Sequence, residues 1–397
     1  MKKFDVLILG GGASGLMCAG WLNQNSSYHV GMIEGNSKLA QKLKISGGGK
    51  CNITNVNVSE KQFLGNESFV KTVLDHFSKE DLLAYLDKRA LKPVLRKSRY
   101  YFCPKSSDEI IDILKRDAKK TAMILNEKVL HVKSEENFKV TTDRRKYEAK
   151  YLVIATGAES YKSIGASAIG LEIAKDFEHE VKPFHPALVG LTLQPAQFWM
   201  KALSGISLHV KIKVGEKELD EELLFAHKGI SGPAVLSASL YWHKGDIEIN
   251  FLPALHPKGT SSLSLTANVR DMCRATKKHI SSALPLSKRF IKAFLTAIDL
   301  EDKPCNKLNT QELEKLSLIH NYAFAPSGNF GFSKAEVCKG GVKTEMIDSR
   351  SMESKEVENL YFIGEVLDVT GELGGYNFQW AFSSGVVCAK DLLQKST

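Results

Sequence analysis

No stretch of this 397-residue chain approaches the ~20 apolar residues that a membrane-spanning helix requires, so a helical membrane protein is not expected. Nor is there a CxxC pair. The seven cysteines, at 18, 51, 103, 273, 305, 338 and 388, are odd in number and scattered. They suggest neither a disulfide framework nor a thiolate zinc site; no metal is expected, and a reducing cytoplasm is the expected compartment. The start Met-Lys-Lys has the charge of a signal peptide, but Asp5 interrupts the apolar stretch and a glycine loop ends it after Leu9, so those residues read as part of the fold. Zinc-protease helices of HExxH type, Walker loops, a Ser/His/Asp order and repeats at solenoid periods are all missing. With 43% hydrophobic and 25% charged residues the composition is that of a globular protein, and the length suits two or three domains.

What is present begins at residue 4. Phe4 to Leu9 reads as a buried strand that runs into Gly10-x-Gly12-x-x-Gly15, and Glu34 closes the next strand, Tyr28 to Ile33. Each part has its own task in a dinucleotide cradle. Gly10 permits the tight turn, Gly12 lets backbone approach a pyrophosphate, and Gly15 lets helix pack on strand. A diphosphate then sits on a helix N-terminus, where free N–H groups and the helix dipole favour negative charge. Glu34 stands at the distance suited to ribose hydroxyls.

A basic, glycine-rich segment follows, from Lys42 to Asn52, with Gly47, Gly48 and Gly49 in succession. Apolar spacing predicts helices over 68–90 and 106–120, the latter through Ile110, Ile111 and Leu114. Short alternating pieces, 129–132, 138–142 and 146–149, predict an antiparallel meander feeding a separate buried strand at 151–157 that ends on Gly157. Residues 188–255 contain strand-like runs, 188–193, 207–214 and 246–251, between Gly and Pro turns, and predict an all-β unit. Residues 262–320 read mainly as helices, with Pro285 at a helix start. From Glu358 the opening grammar returns: a strand Asn359 to Gly364, then Glu365, Asp368, a loop 371–375 and a helix from Asn377 with Ala381, Ser384 and Gly385 on one face. The whole reads as an α/β fold in which an insertion separates two parts of one parallel sheet.

One nucleotide cradle joined to a terminal strand-Gly-Glu element suits FAD rather than NAD. Its far end needs an acid or amide for ribityl hydroxyls, for which Glu365 and Asp368 are candidates, and a helix N-terminus aimed at the flavin ring, for which Gly374, Gly375, Tyr376 and Asn377 are candidates. Alternatively Glu365 caps a turn and the glycines merely end a strand. The net charge is +9. It concentrates in part between 257 and 292, where Lys258, Arg270, Arg274, Lys277, Lys278, Lys288, Arg289 and Lys292 face a single acid, Asp271. A solvated helix face is the preferred reading of that run, and an RNA-binding surface the second.

The Gly10 to Gly15 loop, Lys44-Ile-Ser-Gly-Gly-Gly-Lys-Cys-Asn-Ile-Thr-Asn55, His227-Lys-Gly-Ile-Ser-Gly-Pro-Ala-Val-Leu236 and Gly364-Glu-Val-Leu-Asp with Gly-Gly-Tyr-Asn-Phe-Gln379 resemble the BaiN-like (YhiN-like) bacterial flavoproteins across essentially the whole chain. The resemblance implies a Rossmann-type FAD-binding domain (1–187 and 326–397) interrupted by a β-barrel-like domain (188–257) and a helical subdomain (258–325). Relatives bear names as NAD(P)/FAD-dependent oxidoreductases, aminoacetone oxidases or enone reductases. The implied cofactor set begins with Gly10, Gly12, Ala13, Ser14, Gly15, Glu34, Gly35 and Lys42. Ser46, Gly47, Gly48, Lys50, Cys51 and Asn52 would lie beside the flavin ring, with Val129, Thr156, Gly157, Gly364, Glu365, Asp368, Gly374, Gly375, Tyr376 and Asn377 completing the set. The chain departs from the family pattern at Ser98-Arg-Tyr-Tyr-Phe-Cys-Pro104, where Gly-Arg-x-Phe-Pro is usual, and at Ile169, where an acid is usual.

The expected activity is that of an FAD-dependent oxidoreductase acting on a small organic substrate, with NAD(P)H visiting as a transient co-substrate or the substrate itself as donor. The alternative is a flavin-containing scaffold that touches RNA. Lys50 near the flavin ring would stabilise its anionic reduced form or else pair a phosphate. Cys51 as a redox thiol has no CxxC partner, and Tyr376 either shapes the flavin face or belongs to the core. His185 and His227 are more plausible as structural residues than as proton donors.

Overall fold

The computed structural model describes residues 1–395 except 162–163, 254–268, 270–271 and 274–275. The chain divides into two compact units, Met1–Pro186 with Ala335–Thr397, and Ala187–Lys334.

The first unit is built on a seven-stranded sheet. Its strands are β1 (Lys2–Leu9), β2 (Val30–Glu34), β7 (Ala122–Leu125), β8 (Val129–Ser134), β9 (Phe138–Thr142) and β10 (Lys146–Ile154), in the order β7-β2-β1-β10-β9-β8, with Leu360–Phe362 also pairing β10. The strands β7, β2, β1, β10 and Leu360–Phe362 run parallel. Their carboxyl ends therefore share one edge, the place where open α/β sheets bind ligands. Central strands covered on both faces lose alternation, and Val6 to Leu9 are accordingly all fully buried.

β10 shows the same physics within one strand. β1 pairs parallel along its length; on the other side the first half of β10 pairs antiparallel with β9 and alternates, with Tyr147 and Ala149 inside, whereas its second half pairs parallel with Leu360–Phe362, and Tyr151 to Ile154 are all buried. The sequence suggests two strands, 146–149 and from 151. The structure has one, because the pattern changes where the neighbours change.

Around the sheet lie α1 (Ala13–Asn25), α2 (Gln41–Gly49), α3 (Glu67–His76), α4 (Lys79–Asp87), α5 (Asp108–Asp117) and the C-terminal helix Tyr376–Gln394. The single helix expected over 68–90 is two. The first ends at Phe77 and Ser78 caps the next: its hydroxyl accepts from Asp81 N at 3.2 Å while the Asp81 carboxylate accepts from Ser78 N at 2.8 Å. A second, three-stranded sheet orders β3 (Asn52–Asn55), β6 (Tyr100–Phe102) and β5 (Val94–Arg96). The short strand β4 (Phe63–Leu64) pairs Thr370–Gly371, and Val181–Ala187 pairs Val337–Val342.

The second unit has a seven-stranded antiparallel sheet running from Tyr322–Phe324 through Ile247–Asn250, Ser207–Val214, Lys217–Ala226, Gly229–Ser231 and Leu191–Thr192 to Gly328–Asn329. Helices Pro233–Tyr241, Ile280–Ala283, Lys288–Ala297 and Thr310–Ser317 belong to the same unit. An aromatic core joins sheet and helices: Phe251 meets Phe290 at 5.0 Å between ring centres, and Phe290 stacks on Phe294 at 5.9 Å. The expected helix start at Pro285 falls slightly later. Ser287 is the cap of Lys288–Ala297, its hydroxyl accepting from Phe290 N at 3.2 Å. Lys258, Arg270, Asp271 and Arg274 of the basic run lie outside the described residues; Lys277, Lys278, Lys288, Arg289 and Lys292 are exposed.

Candidate functional site

The turn from β1 into α1 is held by close backbone packing. Gly10 has φ +112, and a β-carbon there would overlap the carbonyl of Ala155 at the end of β10; one on Gly15 would overlap the carbonyl of Gly10. Only glycine fits either place. Gly12 differs: a β-carbon on it would meet nothing within 4 Å. The α1 N-terminus has no side-chain cap, so the first-turn amides of Ala13, Ser14 and Gly15 are left for a ligand or water. Glu34 lies against this loop. Its Oε2 accepts from Gly11 N at 2.9 Å and its Oε1 from both Asn36 N and Asn36 Nδ2 at 2.8 Å, which aims the carboxylate at the turn and leaves Oε2 able to accept one further donor such as a hydroxyl. The segment before Val129 is laid beside it by Glu127 N donating to Glu34 O at 3.2 Å, and Gly35 faces the Lys128 side chain.

Lys42 and Glu365, 323 residues apart, form one unit. The Lys42 ammonium donates to Glu365 Oε2 at 2.7 Å and Oε1 at 2.9 Å, and to Ser160 Oγ at 2.7 Å; Cys338 N donates to Glu365 Oε1 at 3.0 Å. From the sequence the two residues are expected to make separate cofactor contacts. Three-dimensional pairing makes each the other's partner, with the carboxylate already satisfied inside the protein. Beside them stands Glu336, which the sequence did not single out. Burial pushes its carboxyl above the ordinary carboxylate range, with the Lys42 charge opposing. Asp368 likewise is taken, its Oδ2 lying 2.6 Å from Lys182 Nζ.

The glycine-rich loop completes the edge. α2 is helical to Ile45, after which Ser46 is extended and Gly47, Gly48 and Gly49 have φ of 56, 64 and 82. Three consecutive left-handed residues explain the glycine run. Gly48 and Gly49 open onto free space. The loop is anchored below: Ser46 O accepts from Cys51 N at 3.1 Å, Gly49 O accepts from Ser107 N at 2.8 Å, and Asn52 begins β3. Among the described residues the Lys50 ammonium has no hydrogen-bond or ion-pair partner, while Lys50 O accepts from Cys103 N at 3.0 Å.

Cys51 does have a thiol neighbour, though one that no local motif shows. β3 and β6 pair Asn52 with Phe102, which sets Cys51 across from Cys103; both are fully buried and their thiols share a hydrogen bond. That bond, then burial, pushes Cys51 well above the usual thiol range, while the same bond lowers Cys103 against the opposing effect of burial. All seven cysteines are free.

At the C-terminal end, Gly375 (φ +92) precedes the helix Tyr376–Gln394 and no side chain caps it. The Asn377 side chain is committed to Gly371, its Oδ1 accepting from Gly371 N at 2.9 Å and its Nδ2 donating to Gly371 O at 2.8 Å. Gly374 O accepts from Asn55 Nδ2 at 2.9 Å. Gly364 is held on both sides, its N–H donating to Ser384 Oγ at 3.0 Å and its carbonyl accepting from Trp380 Nε1 at 3.1 Å. A β-carbon on Gly364 would come 2.6 Å from Ser14 Oγ, and one on Gly385 would come 2.6 Å from Ser14 O. The two glycine-rich ends thus meet at Ser14. Tyr376 is 1% exposed, its ring edge-on to Phe63 at 6.0 Å, a core position. Gly157 opens onto free space, whereas the buried Thr156 hydroxyl packs on Gly170 and has no hydrogen-bond partner among the described residues. His185 and His227 are exposed.

These observations fit FAD. The uncapped α1 N-terminus and open Gly12 suit its diphosphate, Glu34 its adenosine ribose, and the open Gly48, Gly49 and Gly157 with the uncapped C-terminal helix its ring end.

The description "HI0933-like protein Rossmann domain" matches residues 4–391. The chain belongs to that family. It stands among the FAD-dependent oxidoreductases. It is 35% identical over 401 residues to an Escherichia coli (strain K12) protein named ribosomal RNA dihydrouridine synthase, covering 99% of both chains. It is 34% identical over 394 residues to a protein of the same name from Haemophilus influenzae, covering 96% of this chain and 97% of the other. A Clostridium scindens protein named 3-dehydro-bile acid delta(4,6)-reductase is 26% identical over 403 residues, covering 96% and 97%. Among solved structures, E. coli quinol fumarate reductase FrdA has a TM-score of 0.51 at 12% identity, covering 100% of this chain and 71% of that one, a likeness of fold. Among the described residues no helix is long and apolar enough to cross a membrane.

Proposed function

We propose that this protein is an FAD-dependent reductase that saturates the C5=C6 bond of uridine in ribosomal RNA, drawing electrons from NAD(P)H. The observation that carries the reading is identity of 34–35% over nearly the full length of two proteins bearing the name ribosomal RNA dihydrouridine synthase. Dihydrouridine differs from uridine by two hydrogens across a C=C bond conjugated to a carbonyl. The bile-acid relative's name denotes reduction of C=C bonds in a keto steroid, the same bond class in a small molecule. Either reaction needs a hydride and a proton; bound FAD, once reduced by NAD(P)H, would supply the hydride, and water the proton.

The chain's own residues serve this reading in separate ways. Backbone at Gly12 to Gly15 receives the diphosphate, and the open backbone at Gly48 and Gly49 leaves room for a flat ring. Lys50 holds a positive charge on the same loop, suited to electron-rich oxygens. The net charge of +9 suits a polyanionic substrate better than a steroid.

Nucleoside mass spectrometry of ribosomal RNA from cells with and without the gene tests the proposal. One dihydrouridine should vanish on deletion and return when the purified protein is incubated with that RNA, FAD and NADPH. Unchanged dihydrouridine, with flavin bleached and reoxidised by enones instead, overturns it in favour of a small substrate.

A further inference from the structure

Residues 88–107 carry seven cations, from Lys88 to Lys105, and no aspartate or glutamate. The middle of this stretch is the β5–β6 hairpin. Its turn is closed by Arg99 N donating to Arg96 O at 3.0 Å, and its two central residues, Lys97 (φ 49) and Ser98 (φ 51), are both left-handed. Such a turn favours Asn and Gly. A lysine at this exposed tip is held there at a conformational cost, which points to a role for its charge.

The neighbours strengthen that reading. Among the described residues neither Arg96 nor Lys97 forms an ion pair, whereas Arg89 in the same stretch is matched to Asp117 at 2.5 Å. The Arg96 guanidinium lies 5.0 Å over the Phe102 ring, a cation–aromatic platform. Val94 and Leu95 are 43% and 47% exposed, so the strand is not a merely solvated charged face.

The hairpin also frames the candidate site. Tyr100 and Phe102 share one face of β6. A β-carbon on Gly374 would come 2.8 Å from Tyr100 Cε1, and one on Gly47 would come 3.0 Å from Phe102 Cε1. The strand carrying the cationic turn therefore leans on both glycine segments assigned to the ring end.

We propose that the β5–β6 hairpin is the surface on which this protein docks RNA, gripping the sugar-phosphate backbone beside the nucleotide presented to the Gly47–Lys50 loop. This rests on the RNA reading given above. Unpaired cations recognise phosphates, and the arginine–aromatic platform suits unstacked bases. Charge complementarity selects the occupant. The exposed cations of the second unit, Lys277 and Lys278, are the rival surface.

Binding of protein-free ribosomal RNA by the full-length, FAD-loaded protein, followed by fluorescence anisotropy across about 50–200 mM salt, tests this. The double variant Arg96→Glu/Lys97→Glu should weaken binding by about tenfold or more and lower the salt slope by about 2, one per lost phosphate contact. Arg96→Gln/Lys97→Gln, a milder change, should give a smaller loss of the same sign, with unchanged melting and flavin spectrum excluding misfolding. Unchanged RNA affinity in both variants overturns the proposal, as does an equal loss on Lys277→Glu/Lys278→Glu. Loss of binding only to anionic vesicles would also overturn it, in favour of a membrane surface. Anisotropy needs no turnover, so the two readings fail separately. RNA bound through the hairpin without dihydrouridine formation defeats the proposed reaction alone; full dihydrouridine formation by the double variant defeats the docking surface alone.

Discussion

The first βα turn and the C-terminal glycine segment face the same edge of the parallel sheet but are built on opposite plans. At the first, backbone does the recognising: Gly10 and Gly15 are pressed against carbonyls, while Gly12 and the uncapped amides of α1 remain open. At the second, the polar side chains that look like ligand contacts are already engaged, Glu365 with Lys42, Asp368 with Lys182 and Asn377 with Gly371. The lesson is that a motif's glycines forecast space, whereas its acids and amides forecast only polarity. A side chain's partner is set by whatever the fold brings near it.

That contrast can be broken. The largest effect is expected at Gly10. Gly10→Ala should cost about 3–5 kcal/mol and yield flavin-free protein by absorbance, because its β-carbon would overlap Ala155 in a left-handed backbone. Gly12→Ala should leave stability within about 0.5 kcal/mol yet weaken FAD binding about tenfold or more, since the new methyl enters only the open side. Equal destabilisation by both substitutions would mean that the first turn is as preoccupied as the second.

Next is the ion pair. Lys42→Met should cost about 2–3 kcal/mol in urea unfolding, less than a fully buried pair because the side chains are 31% and 19% exposed. The double variant Lys42→Met/Glu365→Gln should recover part of that loss. Unchanged stability with abolished FAD binding would turn the pair back into ligand contacts. Asn377→Ala should follow, at about 1–2 kcal/mol, for its two hydrogen bonds to Gly371; a purely kinetic defect with no shift in melting would contradict this.

The smallest effect is a pH dependence. His179 is buried, its Nε2 2.7 Å from Ser354 Oγ, and burial holds it below the ordinary 6.5. Because the folded state favours the neutral ring, its contribution is complete above 6.5 and is lost as pH falls through the lower folded value. Melting should therefore drop as pH falls below 6.5 more steeply in the wild type than in His179→Gln. Parallel curves would remove His179 from the account.

Much of the architecture was legible. The strand, turn and helix at residues 4–25 follow from local apolar runs and glycines, as does the C-terminal helix from Tyr376. Other parts were not. Ser78 divides a stretch whose periodicity reads as one helix, since capping is a short-range hydrogen-bond choice that apolar spacing does not register. Cys103 faces Cys51 only through the β3–β6 register, and Glu336 reaches Lys42 only through folding. A signal for the first was available: Cys103 falls where the chain departs from its family's pattern. The acid-free stretch with seven cations at 88–107 was also plain in the letters, but its meaning depends on the hairpin that lays Tyr100 and Phe102 against Gly374 and Gly47.

Read as a string of residues, the chain specifies where backbone can turn tightly, where helices begin and where an anion can rest, because these depend on missing β-carbons and on dipoles within a few residues. Which polar groups remain available for chemistry was decided by tertiary structure. Lys42 and Glu365 are 323 positions apart, and only the folded sheet brings their opposite charges to 2.7 Å.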